Sequence, residues 1–154
     1  MNAYFFDSSA TVKRFSREKG SNFVISLFKP STKHTIYVSE IALAEVVSAI
    51  SRQKRGKFLN PTQSDKAVKR FRRIFDLRLK KLAVDITLIE QASFLAEKHY
   101  LRGYDAVQLA SALEVQKTRQ SVGASSIIFV SADNALNQAA ISEGLTVDNP
   151  NNYP

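Results

Sequence analysis

Short apolar runs alternate with longer stretches of helical periodicity along the 154-residue chain. Tyr4-Phe5-Phe6 is a compact aromatic run that predicts a buried strand. Ser8 or Ser9 can cap a helix running toward Lys19, and Gly20 marks a break before a second helical stripe of Phe23, Val24, Leu27 and Phe28. Thr35 to Ser39 is β-branched and aromatic, the signature of a second strand. Ile41 to Arg55 reads as a helix, with Leu43, Val46, Val47 and Ile50 in register. Pro61 can open the next helix, whose apolar side carries Val68, Phe71, Ile74, Phe75 and Leu79. Leu82 to Asp85 predicts a third strand and Leu88 to Tyr100 a helix that Gly103 breaks. A regular helix then starts at Asp105. Ser126 to Ser131 is the clearest strand, Asn134 to Glu143 a helix stopped by Gly144, and Leu145 to Asp148 a terminal strand. Strand and helix alternate throughout, which predicts an α/β fold: a mostly parallel central sheet covered by helices on both faces, a three-layer α/β/α sandwich. Without repeat, low-complexity tract or linker, residues 1–154 read as a single domain.

Composition narrows the chemistry. There is no cysteine, and the histidines are His34 and His99, so thiolate and histidine-rich metal sites are excluded. A metal would be held by oxygen, which suits Mg²⁺ or Mn²⁺. No apolar run approaches the ~20 residues that span a bilayer, and Met1 to Asp7 lacks the basic region of a signal peptide. A cytoplasmic location without membrane contact is the expectation. The net charge of +8 is unevenly spread: residues 52–81 hold 12 basic and 2 acidic side chains, whereas residues 82–154 hold 4 basic and 8 acidic. Lys66, Lys69, Arg70, Arg72 and Arg73 line one side of the predicted fourth helix. A local excess of this size points to a polyanionic partner, nucleic acid or an acidic protein, against the ordinary alternative of a solvated helix face.

Four carboxylates stand out. Asp7 follows the first strand directly, and Asp133 lies three residues beyond Val130, the last apolar residue of the strongest strand. In parallel α/β sheets the carboxyl ends of strands line the ligand crevice, so these two acids can meet. Glu45 interrupts the apolar helical segment Ile41-Ala42-Leu43-Ala44-Glu45-Val46-Val47, and Asp105 opens the apolar segment Asp105-Ala106-Val107-Gln108-Leu109-Ala110. Acids beside a core are costly unless paired or bound to metal, and one divalent cation would relieve all four. Each acid also has an ordinary explanation: a turn for Asp7, a helix cap for Asp105 or Asp133, a surface position for Glu45.

Tyr4-Phe5-Phe6-Asp7-Ser8-Ser9-Ala10 with Val12-Lys13-Arg14-Phe15 resembles the opening of PIN-domain nucleases, particularly the VapC-type toxins. Ala42-Leu43-Ala44-Glu45-Val46 is similar to their second acidic motif, Leu101-Arg102-Gly103-Tyr104-Asp105-Ala106-Val107-Gln108-Leu109-Ala110 to their third, and Phe129-Val130-Ser131-Ala132-Asp133 to their fourth. The resemblance implies a Mg²⁺- or Mn²⁺-dependent ribonuclease with Asp7, Glu45, Asp105 and Asp133 as its acidic centre and Ser8 and Ser131 as polar supports. It also implies an RNA substrate, a cognate antitoxin protein and a homodimer. The helical cations from Lys66 to Arg73 would then contact RNA or antitoxin. Two other readings share parts of the pattern. A phosphoacceptor signalling domain would show adjacent acids after its first strand, where this chain has Asp7-Ser8-Ser9. A non-catalytic RNA- or protein-binding module would not need the complete acid set.

Overall fold

The computed structural model describes residues 1–56 and 59–154. Its elements alternate as the hydrophobic pattern requires: β1 (Ala3–Phe6), α1 (Ser8–Val12), α2 (Ser21–Leu27), β2 (Thr35–Ser39), α3 (Ala42–Arg55), α4 (Pro61–Leu77), β3 (Lys80–Leu82), α5 (Ile86–His99), α6 (Gly103–Ser121), β4 (Ile127–Val130), α7 (Asn134–Ser142) and β5 (Thr146–Asp148), with short 3₁₀ turns at Pro30–Thr32 and Pro150–Asn152. The strands form one parallel sheet in the order β3-β2-β1-β4-β5. From β1 the chain builds outward through β2 and β3, then returns to add β4 and β5 on the other side. The order therefore reverses between β1 and β4, the place where parallel sheets open a crevice at their carboxyl ends.

Alternation along β1 splits the core. Tyr4 and Phe6 face α1, α2, α3 and α4, packing with Val24, Phe28, Val46, Ile50, Phe71 and Phe75. Ala3 and Phe5 face α6 and α7, packing with Leu109, Ala112, Phe129, Leu136 and Ala139. Period-two strand geometry turns one short aromatic run into the centre of two cores, giving the expected α/β/α sandwich.

Several boundaries differ from the pattern. The first helix ends at Val12 instead of running toward Lys19, and its cap is Asp7, whose carboxylate accepts the Ala10 N–H at 2.9 Å, not Ser8 or Ser9. Leaving the helix there turns Phe15 inward against Phe71, ring centroids 5.2 Å apart. The third strand lies two residues early, at Lys80–Leu82, because Asp85 is committed to capping α5 through Leu88 N–H at 2.9 Å. Its lysines suit a sheet edge, where charge blocks further pairing. Gly103 does not break a helix: it is the first residue of α6, which places Asp105 within the first turn. Leu79 is buried but follows α4, which ends at Leu77.

Gly20 sits at φ +83°, and a Cβ there would lie 2.4 Å from the Pro150 carbonyl oxygen. Gly123 also has positive φ, but open space around it. Gly20→Ala and Gly123→Ala each incur about 1–2 kcal/mol of left-handed strain, and Gly20→Ala adds the clash. Urea unfolding should show a clearly larger loss for Gly20→Ala. Equal losses would mean that the Pro150 turn does not press on Gly20.

Candidate active site

Asp7 occupies the bend between β1 and α1. Its side chain accepts from Ala10 N–H, from Ser9 Oγ at 2.7 and 2.8 Å, and from Ser131 Oγ at 2.8 Å. Enclosure still outweighs these bonds. Burial, helped by the charge of Asp105 and opposed by the hydrogen bonds of Ala10, Ser9 and Ser131, raises the Asp7 pKa to about 7.

Glu45 projects from the first turn of α3 and accepts from Ser8 Oγ at 3.0 Å and from Gln108 Nε2 at 2.7 Å. Burial raises its pKa against those two bonds, and Asp105 adds to the rise. Asp105, in the first turn of α6, is raised mainly by burial and then by Asp133, while Arg102 opposes the shift. Asp133 caps α7 through Leu136 N–H at 2.8 Å. Arg102 lies between the last two acids, 3.3 Å from Asp105 and 3.7 Å from Asp133, but its side chain is 84% exposed. It is a solvated counter-charge, worth little by itself.

The four acids, carried by four different elements, line one cleft of about 740 Å³ together with Ser8, Ser9 and Gln108. They form an open arrangement. Among the described residues, no three carboxylates or imidazoles stand close enough to enclose an ion. Ser131 links two acids, donating to Asp7 and accepting from Asp133 N–H at 3.1 Å. The five cations of α4, Lys66, Lys69, Arg70, Arg72 and Arg73, are exposed and none lines this cleft.

Gln108 and Ser9 are the polar residues of the site that pattern reading passes over. Gln108 is buried, one turn beyond Asp105 in an apolar run, and holds Glu45 and Ser8 together. A buried amide among Val107, Leu109 and Ala110 is the same kind of anomaly as Glu45 and could have been found by the same argument. Ser9 bonds Asp7 locally, two residues away, while its acceptance of the Ala132 N–H at 2.9 Å depends on the fold bringing β4 beside β1. Lys13 lines the cleft, but its ammonium is committed to Glu18 at 3.2 Å and the Lys19 carbonyl at 2.8 Å.

The sequence matches the PIN domain family over residues 4–141, a span from β1 to α7 that contains all four acids. The chain belongs to the PIN domain family. Within it, Ribonuclease VapC45 of Mycobacterium tuberculosis is 34% identical over 116 residues, covering 75% of this chain and 78% of that protein. Among solved structures, VapBC2 from Rickettsia felis bound to a promoter DNA fragment shares the fold at TM-score 0.60 and 16% identity, covering 96% of this chain and 98% of that one. FitAcB from Neisseria gonorrhoeae does so at TM-score 0.59 and 15% identity, covering 96% and 97%. The PIN fold explains why the acids converge: they sit at the carboxyl ends of β1 and β4 and on the helices flanking that crevice.

The Asp7 shift has a consequence for stability. Its folded pKa of about 7 lies above the ordinary 3.8, so the folded state binds the proton more tightly. Stability from this group is complete below pH 3.8 and is lost as pH rises to about 7. In chelator-treated protein, Asp7→Asn should gain stability over the wild type through that window, on the order of a few kcal/mol at its upper end. A wild-type-to-variant difference that stays constant with pH would contradict the buried-carboxylate account.

Proposed function

We propose that this PIN-domain chain is a VapC-type endoribonuclease that hydrolyses RNA phosphodiester bonds with Mg²⁺ or Mn²⁺ in the four-acid cleft, and that it acts as the toxin of a toxin–antitoxin pair. The observation that carries this reading is the convergence of Asp7, Glu45, Asp105 and Asp133 on one cleft, with the first three all raised in pKa. Burial disfavours the carboxylate charges, a cost that a bound cation would offset, and Arg102 offsets it only from the solvent edge. The donor set fits the cation in kind: carboxylate and hydroxyl oxygens, without cysteine.

Asp7 and Asp105 are the preferred direct ligands, with Glu45 and Asp133 binding directly or through water. When bound, the cation would polarise a water and neutralise charge on the scissile phosphate. The remaining roles belong to the chain itself. Ser9 and Ser131 orient Asp7, while Ser8 and Gln108 fix the rotamer of Glu45. Arg52, Arg102 and Tyr104 border the cleft, where the cations suit phosphate and the ring a base. The VapC relationship and the shared fold of a toxin–antitoxin complex from Klebsiella pneumoniae support a cognate antitoxin. A homodimer working in the cytoplasm completes the proposal; no described helix is long and apolar enough to cross a membrane.

Purified protein freed of antitoxin should cleave RNA with Mg²⁺ or Mn²⁺ and stop with EDTA. Asp105→Asn should remove most of that cleavage while leaving circular dichroism unchanged. Binding of RNA with no cleavage in either metal would turn the reading to a binding module.

Gln108→Leu removes the amide from Glu45 and nearly preserves volume. Supports of this kind typically change metal affinity or activity by ~10–100-fold. The variant should need more metal both for half-maximal cleavage and for thermal stabilisation, with a folded far-ultraviolet spectrum. A wild-type metal requirement would show that Gln108 only fills space.

A further inference from the structure

A second concentration of charge lies outside the cleft, where the turn after α1, the end of α2 and α4 meet. The Arg14 guanidinium lies against the rings of Phe15 and Phe28, 5.7 and 5.9 Å from their centroids. Arg78, just past α4, donates Nη2 to the Phe28 carbonyl at 2.9 Å. Both arginines are thus anchored on one buried residue. Arg70, two turns earlier on α4, is exposed. Burial first, then the charges of Arg70 and Arg78, lower the Arg14 pKa.

Like charges gathered in one place repel, and folded chains normally place an acid among them. Among the described residues, no carboxylate forms an ion pair with Arg14, Arg70 or Arg78. Arg14 Nε is buried with no hydrogen-bond partner. Beside Arg78 a small cavity of about 40 Å³ is lined by Lys29, Lys33 and His34 and by no acid.

We propose that Arg14, Arg70 and Arg78 form a phosphate-binding site that grips the backbone of single-stranded RNA away from the scissile bond. The identity of the polyanion rests on the ribonuclease reading above. Arginine at all three positions favours an oxyanion able to take guanidinium forks, as phosphate does. The site also continues along α4, where Lys66, Arg70 and Arg73 recur at one-turn intervals. A row of evenly spaced cations suits the regular phosphates of a strand.

The test is binding of a fluorescent oligouridylate in EDTA over a series of salt concentrations. Wild type, Arg70→Gln and Arg14→Gln/Arg70→Gln are compared with Lys117→Gln, an exposed cation on α6. Loss of two phosphate contacts should weaken binding about tenfold and reduce the logarithmic salt slope by about 1.4. Arg70→Gln alone should reduce the slope by about 0.7. That single exposed change carries the test if the double variant misfolds. Lys117→Gln should behave as wild type. Undiminished binding by the arginine variants, or an equal loss in Lys117→Gln, overturns the site. So does loss of poly-glutamate binding with RNA binding intact, which would assign the cluster to an acidic protein. Cleavage by the wild type in Mg²⁺ is scored separately. Absence of cleavage overturns the ribonuclease reading, while the salt slopes still decide the site.

Discussion

Asp7 is a carboxylate enclosed by protein at the point where the sheet reverses its strand order, and most of the molecule's chemistry follows from that placement. A carboxylate there can exist only because three kinds of donor reach it: the first turn of α1, the Ser9 hydroxyl and the Ser131 hydroxyl from β4's end. Even so, burial and the neighbouring Asp105 charge favour its protonated form. Burial likewise raises the pKa of Glu45 and Asp105 in the same cleft.

The rest of the fold supports that arrangement. Phe5 and Phe6, immediately before Asp7, point to opposite faces and join two cores, so the end of β1 cannot shift without disturbing both. Gln108, buried on α6, ties that helix to α3 and α1 through Glu45 and Ser8. Small polar residues therefore set the distances between like charges, while the sheet and cores make those distances rigid. Lys13, Arg52 and Arg102 line the cleft, but the larger concentration of positive charge is kept elsewhere. The cations of α4 and the Arg14 cluster stand outside the cleft, where they do not neutralise the acids.

Much of this was readable along the chain. The three-layer class followed from alternating strand and helix patterns, and Asp7, Glu45, Asp105 and Asp133 were visible because each interrupts or ends an apolar segment. Boundaries were less legible where capping competed with hydrophobic pattern. Asp85 caps α5 and so moves the preceding strand to Lys80–Leu82, although lysines carry no strand signal. Gly103 looks like a breaker because intrinsic propensity disfavours it, yet at the first position of α6 it gives up little.

By itself, then, the sequence determined the class of fold and the absence of thiolate chemistry and singled out four acids as candidates, because these depend on local periodicity and residue type. Only the tertiary structure decided what those acids touch. Ser131 reaches Asp7 across 124 positions. Gln108 reaches Glu45 across 63 positions. The grouping of Arg14 with Arg78 needed Phe28 between them. Such contacts arise from strand order and helix packing, which bring distant segments together, and local pattern carries no record of which segments those will be.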